Sequence, residues 1–322
     1  MRKVFFLVVA LGIAALPVDG DAADRVVVDI IKQPYGGARN VPEISMNPDY
    51  IHAGGLERLI VEWGGELLRP VQDVRLSAAQ DRQYGAWNRM ALANSNMAGA
   101  VRQGRDDAAL TVGLEANCNV LLGMLAGLKY DEDGSEQRVG LVFIDAHGDF
   151  NVPETTLSGM LGGMPVAVAA GLALTNLRLT SGLEPAIPTR FIAMGAVRDL
   201  DPLEEDLLNR SEVQFLSVDA LRRRSDEMHA QMRRLAASTD LIYVHVDMDV
   251  LDPPEVPGHP LTVPNGPTSL ELAAALTEMF QYESVAALGI ASTPFGERDP
   301  DGISRRAAYN LIRGAVHGVQ RR

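Results

Sequence analysis

Three polar residues follow directly on an apolar run near the middle of the chain. Asp145, His147 and Asp149 come after the run 139–144, each two positions from the next. In an extended segment, side chains two positions apart project to one face. The spacing therefore predicts that two carboxylates and an imidazole converge on one point. Charged groups that converge in a poorly solvated place need a counter-charge, and the pattern favours a bound metal cation.

A second acidic pair has the same form. Asp247 and Asp249 follow the apolar run 241–246. Four aspartates and one histidine are more than one divalent ion needs. Oxygen and imidazole ligands suit Mn, Fe, Ni or Zn, and carboxylates that bridge two such ions would hold a dinuclear site. The alternative is that each group caps its strand or pairs with arginines, but the repetition of the pattern favours the metal site.

The elements that must position these residues alternate along the chain. Short apolar runs that are typical of strands alternate with segments of helical periodicity. Such alternation predicts a parallel sheet that is covered on both faces, either open and doubly wound or closed into a barrel. In both folds, sites form beyond the C-terminal ends of the strands, which is where Asp145 and Asp247 fall. Strands are predicted at 25–31, 110–114, 139–145, 189–194, 241–246 and 285–291, and helices at 56–68, 85–104, 120–128, 203–209, 220–237, 270–280 and 304–319.

The start of the chain has the features of an export signal. Arg2 and Lys3 precede the apolar segment 4–16, and small residues follow at 20–22. This pattern predicts a signal peptide at 1–22 and a mature domain at 23–322, located in the periplasm or secreted. The alternative is a buried first strand or an interfacial anchor. No later segment is long and apolar enough to predict a membrane span.

Composition and charge limit the partners. The chain has 322 residues and a net charge of −13, so it should repel phosphate backbones, and nucleic acid is not an expected partner. Cys118 is the sole cysteine, which excludes an internal disulfide.

Several motifs together resemble the arginase/agmatinase (ureohydrolase) family. They are DAHGDFN, PETTLSG, GMP and DMDVLDP, and the resemblance covers roughly residues 25 to 320. It implies a single α/β domain with three αβα layers and a mostly parallel sheet of about eight strands. It also implies two divalent ions, usually Mn, and hydrolysis of a small guanidino substrate to urea or hydroxyurea. Trimers and hexamers are common in that family, so a homo-oligomer is compatible with it.

The resemblance assigns roles to the metal-site residues. Asp145 and Asp247 match the carboxylates that bridge the two ions, and Asp149 matches a ligand of the first ion. His147 and Asp249 match ligands of the second ion. A hydroxide between the ions would attack the guanidino carbon. Asp149 would orient that hydroxide and pass its proton to the leaving amine, as general acid–base.

Four further positions match substrate contacts of the family. Asn151 and Ser158 match residues at the amino-acid end of the substrate. Asp201 and Glu204 match carboxylates that hold a substrate α-amino group. Taken alone, Asp201 and Glu204 also fit the acidic start of a helix, where negative charge is favourable.

This sequence departs from the family pattern at four positions, one of which is Met160, where the family has an asparagine two residues after the serine that matches Ser158. Cys118 stands where the family has a ligand histidine, which predicts a thiolate ligand and a preference shifted from Mn towards Zn or Fe. The alternative is that Cys118 is a small buried apolar residue. Gly162 replaces a proton-shuttle histidine, and Ala291 replaces the glutamate that grips the guanidinium; Glu297 is a nearby candidate to substitute.

With Cys118 and Gly162 at these two positions, the sequence resembles a small branch of the family that includes the Nω-hydroxy-L-arginine amidinohydrolase. A hydroxyguanidino substrate is therefore one hypothesis.

Among the remaining histidines, His245 is expected to be packed, and His259 lies in a loop that could approach the site. A non-catalytic exported protein that binds metal or ligand is the alternative to an enzyme.

Overall fold

A nine-stranded sheet forms the centre of the computed structural model, which describes residues 25–37, 45–131 and 133–322. The predicted signal peptide at 1–22 lies outside the described residues and stays a prediction. The strands are β1 Val26–Gln33, β2 Gly65–Leu67, β3 Gln72–Asp73, β4 Leu110–Glu115, β5 Val139–Ile144, β6 Ile192–Gly195, β7 Gln214–Leu216, β8 Leu241–Asp247 and β9 Val285–Ala291.

The order of the strands brings distant parts of the chain together. The order is β2-β1-β4-β9-β8-β5-β6-β7, with β3 paired to β1. The pairings are parallel, so the carboxyl ends of β4, β9, β8 and β5 lie side by side at one edge. Glu115, Ala291 and Asp247 are in register across β4, β9 and β8. The predicted single αβα domain with a mostly parallel sheet is confirmed, as an open sheet.

Helices cover both faces of the sheet. The helices are α1 Asn47–Ala53, α2 Leu56–Glu62, α3 Ala78–Asp81, α4 Ala86–Gly104, α5 Leu121–Leu128, α6 Pro165–Ala169, α7 Thr175–Thr180, α8 Pro202–Asn209, α9 Val218–Arg223, α10 Asp226–Ser238, α11 Ser269–Met279 and α12 Ile303–Val319. One buried apolar cluster packs α1, α2 and α9 to α12 against one face of the sheet, and a second packs α4 to α8 against the other face. No helix of the described segments has the length and apolar character needed to cross a bilayer.

Two predicted helices are wrong in extent because the backbone changes direction inside them. The helix predicted over 56–68 ends at Glu62, since Gly64 takes a φ of 85° and the chain continues into β2. The helix predicted over 220–237 is two helices, because Arg224 has a φ of 52° between α9 and α10. The strand predicted from 189 begins only at Ile192, after one 3₁₀ turn.

Candidate metal centre and active site

The C-terminal ends of the central strands open into a cavity of about 700 Å³. Its walls include every residue that the sequence predicted to bind metal or substrate. These residues are Cys118, Asp145, His147, Asp149, Asn151, Ser158, Asp201, Glu204, Asp247 and Asp249. The structure therefore places all of them around one space, at the edge where a parallel sheet forms its sites.

Cys118 lies against two of the aspartates. It begins a 3₁₀ turn that follows β4, and the side chain of Asn117 caps this turn by accepting the N–H of Asn119. The thiol Sγ is 2.7 Å from Asp247 Oδ2 and 3.9 Å from Asp145 Oδ2. Sulfur and carboxylate oxygens of these residues lie within 4.8 Å of one another, close enough to share one ion.

His147 completes a second group beside the first. Its Nδ1 is 3.3 Å from Asp145 Oδ1 and 3.1 Å from Asp249 Oδ2. Asp145 belongs to both groups, and Asp247 belongs to the first group and to a third with Asp249 and His259. Asp149 belongs to none of the three, although it is buried in the same cavity wall. Asp249 also belongs to two of the groups, and carboxylates that are shared between neighbouring donor groups fit a pair of ions better than one.

The three residues after β5 converge for a reason other than the predicted one. The segment is not extended: β5 ends at Ile144, and Asp149 takes the left-handed conformation with a φ of 47°. The backbone turns, and the N–H groups of Arg198 and Asp199 both donate to the carbonyl of Ala146. The chain therefore wraps around the strand end instead of continuing along the face of the sheet.

The acidic residues strongly perturb one another. Burial, and then the charges of Asp145 and Asp247, raise the pKa of Asp149 well above its ordinary value. The same causes raise the pKa of Asp249. Burial would also raise the pKa of Asp145, but its hydrogen bonds, first of all with His147, lower it.

The negative surroundings raise the pKa of both His147 and Cys118, which favours a charged imidazole but a neutral thiol. Burial alone would lower the pKa of His147, but hydrogen bonds to Asp145 and Asp249 raise it to about 12. Burial and the charges of nearby aspartates raise the pKa of the Cys118 thiol well above its usual range. The imidazolium of His147 thus acts as a cation among buried carboxylates. A divalent ion would relieve the same repulsion more fully, and the oxygen, nitrogen and sulfur donors present fit Mn, Zn or Fe.

The substrate-side residues form a hydrogen-bonded rim around α8. Glu204 is buried and accepts the N–H groups of Phe150 at 2.8 Å and Asp201 at 3.2 Å. Asp201 Oδ2 accepts from Asn151 Nδ2 at 3.2 Å and from the N–H of Leu157. Asp201 and Glu204 form the capping box of α8, so the helix-start interpretation holds while both residues still line the cavity.

Two positions that depart from the resembled pattern, Gly162 and Ala291, differ in their relation to the cavity. Gly162 lines the cavity, and a Cβ built on it would meet no atom within 4 Å. Ala291 is fully buried, and neither it nor the exposed Glu297 lines the cavity. Sequence reasoning missed Ser292, which follows Ala291 and donates from Oγ to Asp247 Oδ2 at 2.6 Å. Its place at the end of a strand was the signal that could have found it.

A buried polar group that sequence reasoning also missed lies beneath the site. Tyr243 donates to Glu115 Oε1 at 2.5 Å, and its hydroxyl is 2.9 Å from His245 Nδ1. All three side chains are fully buried, and the ring of His245 stacks on Phe143. His245 is therefore packed, as expected. Alternation along β8, which puts Tyr243, His245 and Asp247 on one face, was the available signal.

Comparison with known proteins decides the family. A sequence model of the arginase family matches residues 27–317. The chain belongs to the arginase family. This arginase-family chain is 28% identical over 282 residues to the arginase of Bacillus caldovelox. The aligned region covers 85% of this chain and 91% of the relative. It is 29% identical over 198 residues to an Nω-hydroxy-L-arginine amidinohydrolase of Streptomyces lavendulae, covering 62% of this chain and 64% of the relative.

Solved structures agree with the sheet and its layers. The crystal structure of arginase from Bacillus subtilis has a TM-score of 0.74 at 22% identity and covers 90% of this chain and 98% of that one. The predicted family and the predicted enzyme class are confirmed: this arginase-family chain is a ureohydrolase-type enzyme of guanidino compounds.

Proposed function

We propose that the protein hydrolyses a C–N bond in the guanidino or hydroxyguanidino group of a small substrate and releases urea or hydroxyurea. Two divalent ions would assist, with Mn as the family's usual choice and Zn or Fe as candidates because of Cys118. The observation that carries the proposal is the set of four buried aspartates with His147 and Cys118 around one cavity. Buried carboxylates without a cation are costly, so their joint presence argues for a metal-dependent reaction.

The donor groups divide naturally between two ions. Asp145, Asp247 and Asp249 are each shared between two of the three donor groups, and of these Asp145 and Asp247 would help to hold both ions. Cys118 and Asp149 would complete one position, and His147 and Asp249 the other. The ions, when bound, would supply a hydroxide nucleophile at neutral pH by lowering the pKa of water.

Asp149 is the residue best placed to move the proton. It is buried in the cavity wall, and burial and its acidic neighbours raise its pKa. A carboxyl group that holds a proton more readily than usual can accept one from the nucleophile and donate it to the leaving amine. In this proposal Asp149 is the general acid–base.

The rim would hold the other end of the substrate. Asn151, Ser158 and Asp201 present an amide, a hydroxyl and a carboxylate to the cavity, and Glu204 positions Asp201 through its backbone. These groups suit an α-amino acid end with both a positive and a negative charge. Gly162 and the buried Ala291 favour a hydroxyguanidine over a guanidinium, because the former is less basic and depends less on a shuttle histidine or a gripping carboxylate.

The experiment is a substrate panel on the purified chain. Urea or hydroxyurea would be measured with Mn, Zn or Fe, each in turn, for Nω-hydroxy-L-arginine, L-arginine, agmatine and guanidinobutyrate. Asp145→Asn is the blank, and the exposed Asp301→Asn is the matched control. Product from one substrate, absent in the blank and present in the control, supports the proposal. Metal bound without any product would favour a non-catalytic binder.

A further inference from the structure

We propose that His259 donates its Nε2–H to the substrate's reacting group beside Asp247. This inference rests on the proposed function and names a further catalytic residue for it. His259 lies between β8 and α11, and its side chain lines the cavity with only 7% of its area exposed. Its Nε2 is 3.9 Å from Asp247 Oδ1, and it lies within 4.8 Å of donor atoms of both Asp247 and Asp249.

The hydrogen bond on the other side of the ring fixes the role of Nε2. Nδ1 of His259 accepts the backbone N–H of Leu261 at 3.2 Å, so Nδ1 carries no hydrogen. In the neutral ring the hydrogen must then be on Nε2, the atom that faces the cavity. A nitrogen that carries a hydrogen cannot ligate a metal, so His259 faces the site as a donor.

The segment that carries His259 is firmly held. The backbone of Gly258 packs against Arg298, where an added Cβ would lie 1.9 Å from the carbonyl oxygen of Arg298. The guanidinium of Arg198 donates to the carbonyls of Val263 at 2.8 Å and Pro264 at 3.1 Å, farther along the same segment. A donor fixed before the substrate arrives needs no reorganisation during the reaction, which is the condition for effective electrostatic stabilisation.

Three donors around the buried aspartates are already engaged. Cys118 and Ser292 both donate to Asp247 Oδ2, and Nδ1 of His147 contacts two carboxylates. At 3.9 Å from Asp247, Nε2 of His259 is beyond hydrogen-bond distance, so its donor capacity is available. Attack of hydroxide on the guanidino carbon forms a C–O bond and moves the C–N π electrons onto nitrogen, and a hydrogen-bond donor there stabilises that electron density.

The kinetic test compares two replacements of His259. His259→Phe keeps the ring area and removes the donor, and we expect kcat to fall on the order of 10²-fold. His259→Gln retains an N–H donor and should recover about tenfold of that loss, with the parent's metal content. His317→Gln on α12, outside the cavity, is the matched control. Parent values of kcat and kcat/KM in His259→Phe would overturn the proposal.

A measurement without turnover separates this inference from the proposed function. The tautomer of His259 can be read from ¹⁵N–¹H imidazole correlations in the Zn-loaded chain, assigned by loss of the signal in His259→Gln. The proposal predicts a neutral ring with hydrogen on Nε2; hydrogen on Nδ1, or a metal on Nε2, would overturn it. If the parent chain releases no product from any substrate, the proposed function fails, while the tautomer still decides how His259 faces the site.

Discussion

Asp149 combines a special backbone conformation with a special charge state. Its φ of 47° lies in the left-handed region, which asparagine also tolerates. Asp149→Asn should therefore remove the acid–base group without straining the turn. We expect kcat to fall about 10²–10⁴-fold, measured as product release with the metal content determined on the same sample. A kcat within twofold of the parent, at equal metal content, would contradict its role.

The metal preference of the site tests whether Cys118 is a ligand. If its sulfur is a ligand, Cys118→His should shift competitive loading from Zn towards Mn, because imidazole is a harder ligand than thiolate. Cys118→Ala, the control that supplies no donor, should bind either metal more weakly. The measurement is metal content by mass spectrometry after equilibration with both ions. Unchanged content and affinity in both variants would mean that Cys118 is only a buried apolar residue.

The identities of the site residues could be predicted from the sequence, but their contacts could not. Asp145, His147, Asp247 and Asp249 were found because each follows an apolar run. The hydrogen bond from Ser292 to Asp247 joins residues 45 positions apart, and only the strand order brings them together. The assumption of an extended segment failed because Asp149 turns the backbone, which side-chain spacing does not reveal.

Among the elements, alternation of apolar runs predicted six of the nine strands of the described residues and most of the helices, but not the short strands β2, β3 and β7. The central strands matched well because buried parallel strands are apolar throughout. The order β4-β9-β8-β5 was not predictable, since it depends on contacts between segments far apart in the chain. Local backbone changes at Gly64 and Arg224 also override the helical periodicity on either side.

Gly289 in β9 makes room for the buried polar group beneath the site. A Cβ there would lie 2.0 Å from Tyr243 Oη and 2.2 Å from Glu115 Oε1. We expect Gly289→Ala to lower the free energy of unfolding by about 1–3 kcal/mol, through overpacking. Denaturant unfolding would measure it. Gly99→Ala on α4 is the matched control: an added Cβ meets no atom within 4 Å, so it should gain about 0.5–1 kcal/mol.

For the whole molecule, the buried aspartates of the cavity lower the stability of the metal-free protein and favour metal binding. Folding raises the pKa of Asp149 above its ordinary 3.8, so the folded state retains a proton that the unfolded state loses. The cost to stability therefore grows as pH rises from about that value. In metal-free protein, Asp149→Asn should raise the Tm at pH 7, with a gain that shrinks towards pH 4.

Metal should reverse this effect, because a bound cation favours the ionised carboxylate. With saturating Mn, the parent should be more stable than Asp149→Asn, since ligand binding stabilises the folded state by mass action. Thermal unfolding of both chains, with metal and with chelator, would measure the change. The exposed Asp301→Asn should follow the parent in both conditions. Equal Tm values for Asp149→Asn and the parent, both with metal and with chelator, would mean that Asp149 neither destabilises the metal-free protein nor contributes to metal binding.

Metal-dependent hydrolysis at the buried aspartates is tested most directly by a metal titration of the stripped protein. Bound ions per chain and product release would be followed together, for the parent and for Asp145→Asn. We expect about two ions per chain at saturation, turnover that rises with their occupancy, and no turnover in the variant. Full turnover in stripped protein, or in Asp145→Asn, would contradict hydrolysis at the aspartates that follow β5 and end β8.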